Sequence, residues 1–156
     1  MFIIIVGPDG AGKTTLSKQL AKQTGFEVIK RDKPKSTEEK RRMFEEYCHL
    51  ILQKNNIIFD RFIHCELIYG PIKRDEHNVS REEVEYIEAL LAMKGAIIIH
   101  CTDDLEKLWE RCVSRGEDYI TEKEMLSDIV NGYKKLFAVP HLIPVVEYRI
   151  PDAKNL

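Results

Sequence analysis

An α/β fold is predicted for this chain, a five-stranded parallel sheet with helices on both faces, and three observations predict it. Short apolar runs alternate with amphipathic stretches along the whole sequence, the pattern that right-handed crossovers build into a parallel sheet. Phe2-Ile3-Ile4-Ile5-Val6 and Ile57-Ile58-Phe59 are apolar at every position, as in strands covered on both faces. Gly7-Pro8-Asp9-Gly10-Ala11-Gly12-Lys13-Thr14 joins the first of these runs to a helical stretch. The pattern G-x-x-x-x-G-K-[ST] between a strand and a helix is a phosphate-cradling loop, which specifies the P-loop NTPase version of the fold.

The elements follow in order. Residues 2–6 read as the first strand and about 13–23 as the first helix, with Leu16 and Leu20 on one face. Phe26-Glu27-Val28-Ile29 is a short second strand. Ser36-x-x-Glu39 reads as a capping box, opening a helix with Met43, Phe44, Tyr47, Leu50 and Ile51 at helical spacing, stopped by Asn55-Asn56. The third strand is Ile57-Ile58-Phe59, and a less regular stretch broken by Gly70-Pro71 runs from Asp60 to Val79. Ser80-x-x-Glu83 is a second box, before a helix with Val84, Ile87, Leu90 and Leu91 inward and Gly95 at its end. Ala96-Ile97-Ile98-Ile99 is the fourth strand. Thr102 is read as the cap of a helix carrying Leu105, Leu108, Trp109, Cys112 and Val113 on one face and ended by Gly116. Thr121-x-x-Glu124 is read as a third box before a helix with Met125, Ile129, Tyr133, Leu136 and Phe137, ended near Pro140. Residues 143–150 are the last strand.

At 156 residues the chain suits a single domain, 1–156, with a real core. A net charge of −2 gives no global field that calls for nucleic acid. Locally, residues 30–42 hold seven basic and three acidic residues, either a solvated face or a phosphate-attracting patch. Cys48, Cys65, Cys101 and Cys112 are scattered, with no C-x-x-C pair and no metal-ligand spacing. Free thiols in a reducing cytoplasm are expected. The five-residue apolar start reads as a strand rather than a signal peptide, and no run approaches the ~20 residues of a membrane span. Among partners, no membrane is expected, nucleic acid stays open, and so does a homodimer.

The loop chemistry is direct. Backbone N–H groups of residues 7–12 and the following helix N-terminus hold phosphate. Lys13 reaches the outer phosphates, and the Thr14 hydroxyl can ligate Mg²⁺. Other candidates follow strand ends, where this fold places ligands. Asp60 can hold Mg²⁺ through water or orient an acceptor, and Arg61 can neutralise a second phosphate bidentately; a structural ion pair is the alternative. Lys30-Arg31 is placed in the same way. Arg111 and Arg115 share a helix face and either close over the transferring group as a lid, about residues 111–121, or satisfy the helix C-terminus. Asp9 either orients an acceptor or stabilises its turn. Phe62 and Tyr69 are placed to stack on a base or to pack the core. His64 and Glu66 either line a pocket or lie on an exposed turn. His100 and Cys101 read as packing, His77 and His141 as loop residues.

On these residues the chain resembles the thymidylate kinase group of nucleoside monophosphate kinases. Residues 7–16, including Asp9 and Thr15, match that group's phosphate loop. Arg31-Asp32-Lys33-Pro34 resembles its R-E-P segment. The run from Asp60 to Gly70 resembles D-R-Y-x-x-S-x-x-A-Y-Q, with Asp60, Arg61 and Tyr69 matching and Phe62 a close substitute. The group's serine is Cys65 here and its base-proximal glutamine is Gly70. The resemblance implies ATP bound by Gly7, Asp9, Gly10, Ala11, Gly12, Lys13, Thr14, Thr15 and Arg111. It implies Mg²⁺ held by Thr14 and Asp60, and an acceptor held by Arg31, Arg61, Phe62 and Tyr69. Lys13, Asp60, Arg61, Arg115 and Asp9 would act in transfer. The implied reaction is ATP-dependent phosphorylation of a deoxynucleoside monophosphate, of pyrimidine type. A kinase with a hydroxyl acceptor and a non-catalytic nucleotide switch are the rival readings.

Overall fold

The computed structural model describes residues 1–31, 34–74, 79–116 and 119–151. In chain order the elements are β1 (Phe2–Val6), α1 (Lys13–Thr24), β2 (Glu27–Lys30), α2 (Thr37–Gln53), β3 (Ile57–Asp60), α3 (His64–Tyr69), a π-helical turn (Gly70–Arg74), α4 (Arg81–Lys94), β4 (Ala96–Cys101), α5 (Leu105–Ser114), α6 (Lys123–Phe137) and β5 (Val145–Tyr148). The strands form one sheet in the order β2-β3-β1-β4-β5, and every pairing is parallel. From β1 the chain first steps outward past β3 to β2, then steps back the other way. Right-handed crossovers therefore put α1 on one face and α2 and α4, which pack together, on the other. Central strands β1 and β3 are buried along their whole length, while β2 and β5 at the edges are largely exposed.

That reversal sets the site. The carboxyl ends of β1 and β3 lie side by side, with Ile5 in register with Asp60, and the loops leaving them diverge into a crevice. The phosphate loop and Asp60-Arg61 are thus neighbours, although more than forty residues separate them in sequence.

Two of the four expected caps form. Ser36 accepts from Glu39 N, with the Glu39 carboxylate turned to Lys35 N instead of closing the box. Ser80 and Glu83 make the reciprocal box in full, and such caps stabilise by about 1 kcal/mol. The Thr102 and Thr121 caps are corrected. Thr102 N donates to Tyr148 O, which extends the sheet, and α5 starts after Asp104. Before α6 the cap position is Glu122, without a side-chain bond. Val113 is also corrected: it is 60% exposed, on the outer face of α5. The stretch read as irregular contains α3, and Gly70-Pro71 passes into the π-helical turn instead of breaking the helix.

His64, read as lining a pocket or lying on an exposed turn, and His141, read as a loop residue, meet at a buried glutamate. His64 Nε2 and His141 Nδ1 each lie 2.7 Å from Glu88 Oε1, and Leu142 N donates to Glu88 Oε2 at 3.1 Å. Burial alone would raise the Glu88 pKa, but the bonds from His64 and His141 pull it down to about 2. Burial lowers that of His64. The network ties the start of α3 to α4 and to the loop after α6. Among the described residues no helix is long and apolar enough to cross a membrane.

Candidate active site

Sterics fix the phosphate loop. Gly7 has φ 150°, and a Cβ there would sit 2.0 Å from Cys101 O of β4. Gly12, the cap of α1, is left-handed at φ 81°, a conformation that side chains resist. Ala11 is buried, whereas Thr15 is exposed on the first turn of α1. Lys13 is buried and curls over the loop, donating from Nζ to Gly7 O at 2.9 Å and Pro8 O at 2.8 Å. Burial lowers its pKa, opposed by the charge of Asp9.

Thr14 and Asp60 meet beside the loop, with Thr14 Oγ1 donating to Asp60 Oδ2 at 3.0 Å. Ser17 donates to the same oxygen at 3.3 Å. Lys30 Nζ donates to Thr14 Oγ1 at 3.1 Å and lies 4.0 Å from Asp60 Oδ2. Asp60 Oδ1 is buried without a hydrogen-bond partner among the described residues. A carboxylate oxygen left unpaired at that depth costs stability unless a cation or donor completes it. Together with the adjacent hydroxyl, it is an oxygen donor set of the kind Mg²⁺ takes. The residues present therefore fit that ion.

Arg61 leaves β3 in a left-handed turn, φ 72°, pinned by Arg61 N donating to Ile5 O at 2.9 Å. Backbone strain in a non-glycine residue of this kind is characteristic of functional sites. Burial works against the charge of Arg61, yet Asp9 and neighbouring groups hold its pKa above the ordinary value. Asp9 is itself buried and accepts from the Tyr69 hydroxyl at 2.8 Å. Tyr69 thus fastens α3 to the phosphate loop.

Beside this cluster a pocket of about 510 Å³, open solvent at its mouth included, is lined by Lys13, Arg31, Arg61, Phe62, Tyr69 and residues from α2 and α3. Arg31 pairs with Glu46 and lies over the Tyr47 ring, 5.4 Å from guanidinium carbon to centroid. Phe62 is 3% exposed and does both jobs open to it: it packs on Tyr47 and Phe59, and its remaining surface faces the pocket. Glu66, read as lining a pocket or lying on an exposed turn, lines it, and the residues missed in sequence are Met43, Tyr47, Cys65 and Tyr119. Helical spacing marked Met43 and Tyr47 only as core positions, and Tyr119 had no signal.

Arg111 and Arg115 separate. Arg111 donates from Nη1 to Gly10 O at 3.1 Å and from Nη2 to Asp103 Oδ2 at 2.7 Å, bracing the phosphate loop from outside. Arg115 is exposed and donates from Nε to Arg111 O at 3.4 Å, so it satisfies the end of α5 and is not brought to the pocket. His100 and Cys101 are buried as expected. His77, Asp32 and Lys33, and residues 117–118 of the expected lid, lie outside the described residues.

YorR, a prophage-derived protein of Bacillus subtilis (strain 168), is 27% identical over 140 residues, covering 87% of this chain and 81% of its own. Guanylate kinase of Clostridium acetobutylicum is 26% identical over 152 residues, covering 87% of this chain and 72% of that one. The crystal structure of YorR in complex with phosphorylated GDP superposes with a TM-score of 0.80 at 24% identity, over 96% of this chain and 85% of that chain. Deoxyadenosine kinase from M. mycoides with bound dATP superposes at 0.68 and 22% identity, over 99% of this chain and 94% of that chain. The likeness to these structures shows that the chain shares their α/β fold. The family model described as AAA domain matches residues 2–140, and the chain belongs to that family.

Proposed function

We propose that this protein is a kinase that moves the γ-phosphoryl of ATP onto a nucleoside monophosphate. One observation carries the reading: Lys13, Arg61 and Arg31 line a single pocket at the β1/β3 crevice. That is more positive charge than one ATP tail requires, and it suits a second phosphate. Lys13 and the loop N–H groups would hold the donor, with Arg111 bracing the loop. Arg61 would grip the acceptor phosphate, with Arg31 behind it. Thr14 and Asp60 would hold Mg²⁺, which when bound offsets charge on the transferring group. Such a site works by positioning and charge stabilisation, with little covalent chemistry of its own. The thymidylate kinase resemblance favours a pyrimidine deoxynucleotide, whereas YorR was crystallised with phosphorylated GDP.

A hydroxyl acceptor is the second reading, and Asp9 supports it. A carboxylate oriented by Tyr69 at 2.8 Å is placed to take a proton, and one structural relative is a deoxyadenosine kinase. An acceptor screen with ATP and Mg²⁺ separates the two, with free nucleosides, monophosphates and oligonucleotides in parallel arms. ADP release that depends on a monophosphate is the expected result. Turnover with nucleosides or oligonucleotides alone would replace it with the hydroxyl reading.

A further inference from the structure

The Thr14–Asp60 pair is already served by a cation of this chain. Lys30 Nζ donates to Thr14 Oγ1 at 3.1 Å and lies 4.0 Å from Asp60 Oδ2. The sheet sets that placement. Lys30 is the last residue of β2 and stands in register with Asp60, the last residue of β3. Their side chains therefore leave the same face, at the carboxyl ends of adjacent strands. The Thr14 hydroxyl has one proton, and that proton goes to Asp60. What Thr14 turns toward Lys30 is a lone pair, the group that a metal ion would take from it.

The two charged partners differ in their freedom. The Asp60 side chain is 1% exposed and that of Lys30 is 47% exposed. A carboxylate at that depth needs a positive partner. The lysine can swing into water without opening a cavity, and at 4.0 Å it makes no direct hydrogen bond to Asp60. We propose that Lys30 is a displaceable counter-ion of the Thr14–Asp60 pair, which competes with the divalent metal ion for these oxygens and sets how tightly that ion binds. The inference rests on Thr14 and Asp60 being the metal ligands.

Mn²⁺ binding without nucleotide, read from the electron paramagnetic resonance of free Mn²⁺, tests it in the wild type, Lys30→Met and Asp60→Asn. Methionine keeps an unbranched stem and removes the charge. A unit charge a few ångströms from a divalent ion in a largely aqueous setting changes its binding by about tenfold. Lys30→Met should therefore bind Mn²⁺ about tenfold more tightly than the wild type, and Asp60→Asn should bind it more weakly. Melting curves in EDTA and in Mg²⁺ give a second readout. In EDTA Lys30→Met should melt below the wild type, because Asp60 has lost its counter-charge, and Mg²⁺ should narrow the gap. Equal Mn²⁺ affinity in the wild type and Lys30→Met would overturn the proposal. So would a difference in melting temperature that Mg²⁺ leaves unchanged, which would make Lys30 a purely structural partner of Asp60. The Asp60→Asn arm separates the two levels of inference. If it weakens Mn²⁺ binding while Lys30→Met does not alter it, the metal site stands and the competition fails. If Asp60→Asn binds Mn²⁺ as well as the wild type does, the metal reading is wrong and the proposal falls with it.

Discussion

The phosphate loop and the pocket beside it are specified in opposite ways. The loop is one contiguous segment, residues 7–14, acting largely through backbone, and Gly7 and Gly12 are required by contacts and angles that a Cβ would violate. The pocket takes side chains from the loop, α2, α3 and the segments after β2 and β3. A binding surface built from backbone leaves a local signature in sequence. One built from side chains on several elements exists only once the sheet order has brought those elements together.

Breaking the loop should have the largest effect. Lys13→Ala should lower turnover by about 10²- to 10³-fold, the usual cost of one contact to developing charge, while far-ultraviolet circular dichroism stays unchanged. Wild-type turnover in the folded variant would detach the loop from function.

Breaking the support of α3 comes next. Glu88→Ala strips His64 and His141 of their shared partner and should cost about 3 kcal/mol or more of stability, read from denaturant unfolding. The pH dependence has a definite sign. The Glu88 pKa is depressed from 4.5 to about 2, so its contribution is present above pH 4.5 and is lost as pH falls toward 2. The His64 pKa is lowered from 6.5. The unfolded chain therefore takes up a proton first, and stability also declines as pH falls below 6.5. In melting curves from pH 7 to pH 2.5, the variant should lack the lower decline; an unchanged profile would show that the network does not stabilise the fold.

The smallest effect sharpens the contrast. Tyr69→Phe removes only the hydrogen bond between α3 and Asp9 and should cost about 1 kcal/mol. If the two regions act as one site, that loss appears as a several-fold weaker acceptor with ATP affinity unchanged. Equal weakening of both ligands would place the role of Tyr69 in the loop alone.

These differences follow what was legible in sequence. The five strands, their parallel pairing, the Ser36 and Ser80 caps and the Lys13–Thr14–Asp60 constellation all rest on short-range patterns or on a motif with a fixed setting. The Thr121 box failed because S/T-x-x-E spacing arises without capping, and the Thr102 cap failed because α5 starts two residues later, after Asp104. Thr102 was still needed by the sheet, its N–H bonded to Tyr148 O. His64 and Glu66 could not be placed because the partner or cavity of each comes from distant segments: Glu88 and the loop after α6 for one, α2 for the other. Arg111 and Arg115 share a helix face in sequence, yet only Arg111 reaches the phosphate loop, because Asp103 holds it there.

The central claim is that Arg61 binds the phosphate of a monophosphate acceptor. Acceptor dissociation constants, measured with and without the 5′-phosphate for the wild type and Arg61→Ala, test it most directly. A charge-assisted bidentate contact is worth about 1.5–3 kcal/mol. The phosphate should therefore tighten wild-type binding by about tenfold or more. Most of that gain should vanish in Arg61→Ala, and Lys at this position should restore little of it, for want of the planar fork. If removing the 5′-phosphate costs the wild type nothing, the monophosphate reading is wrong and the kinase takes a hydroxyl acceptor instead.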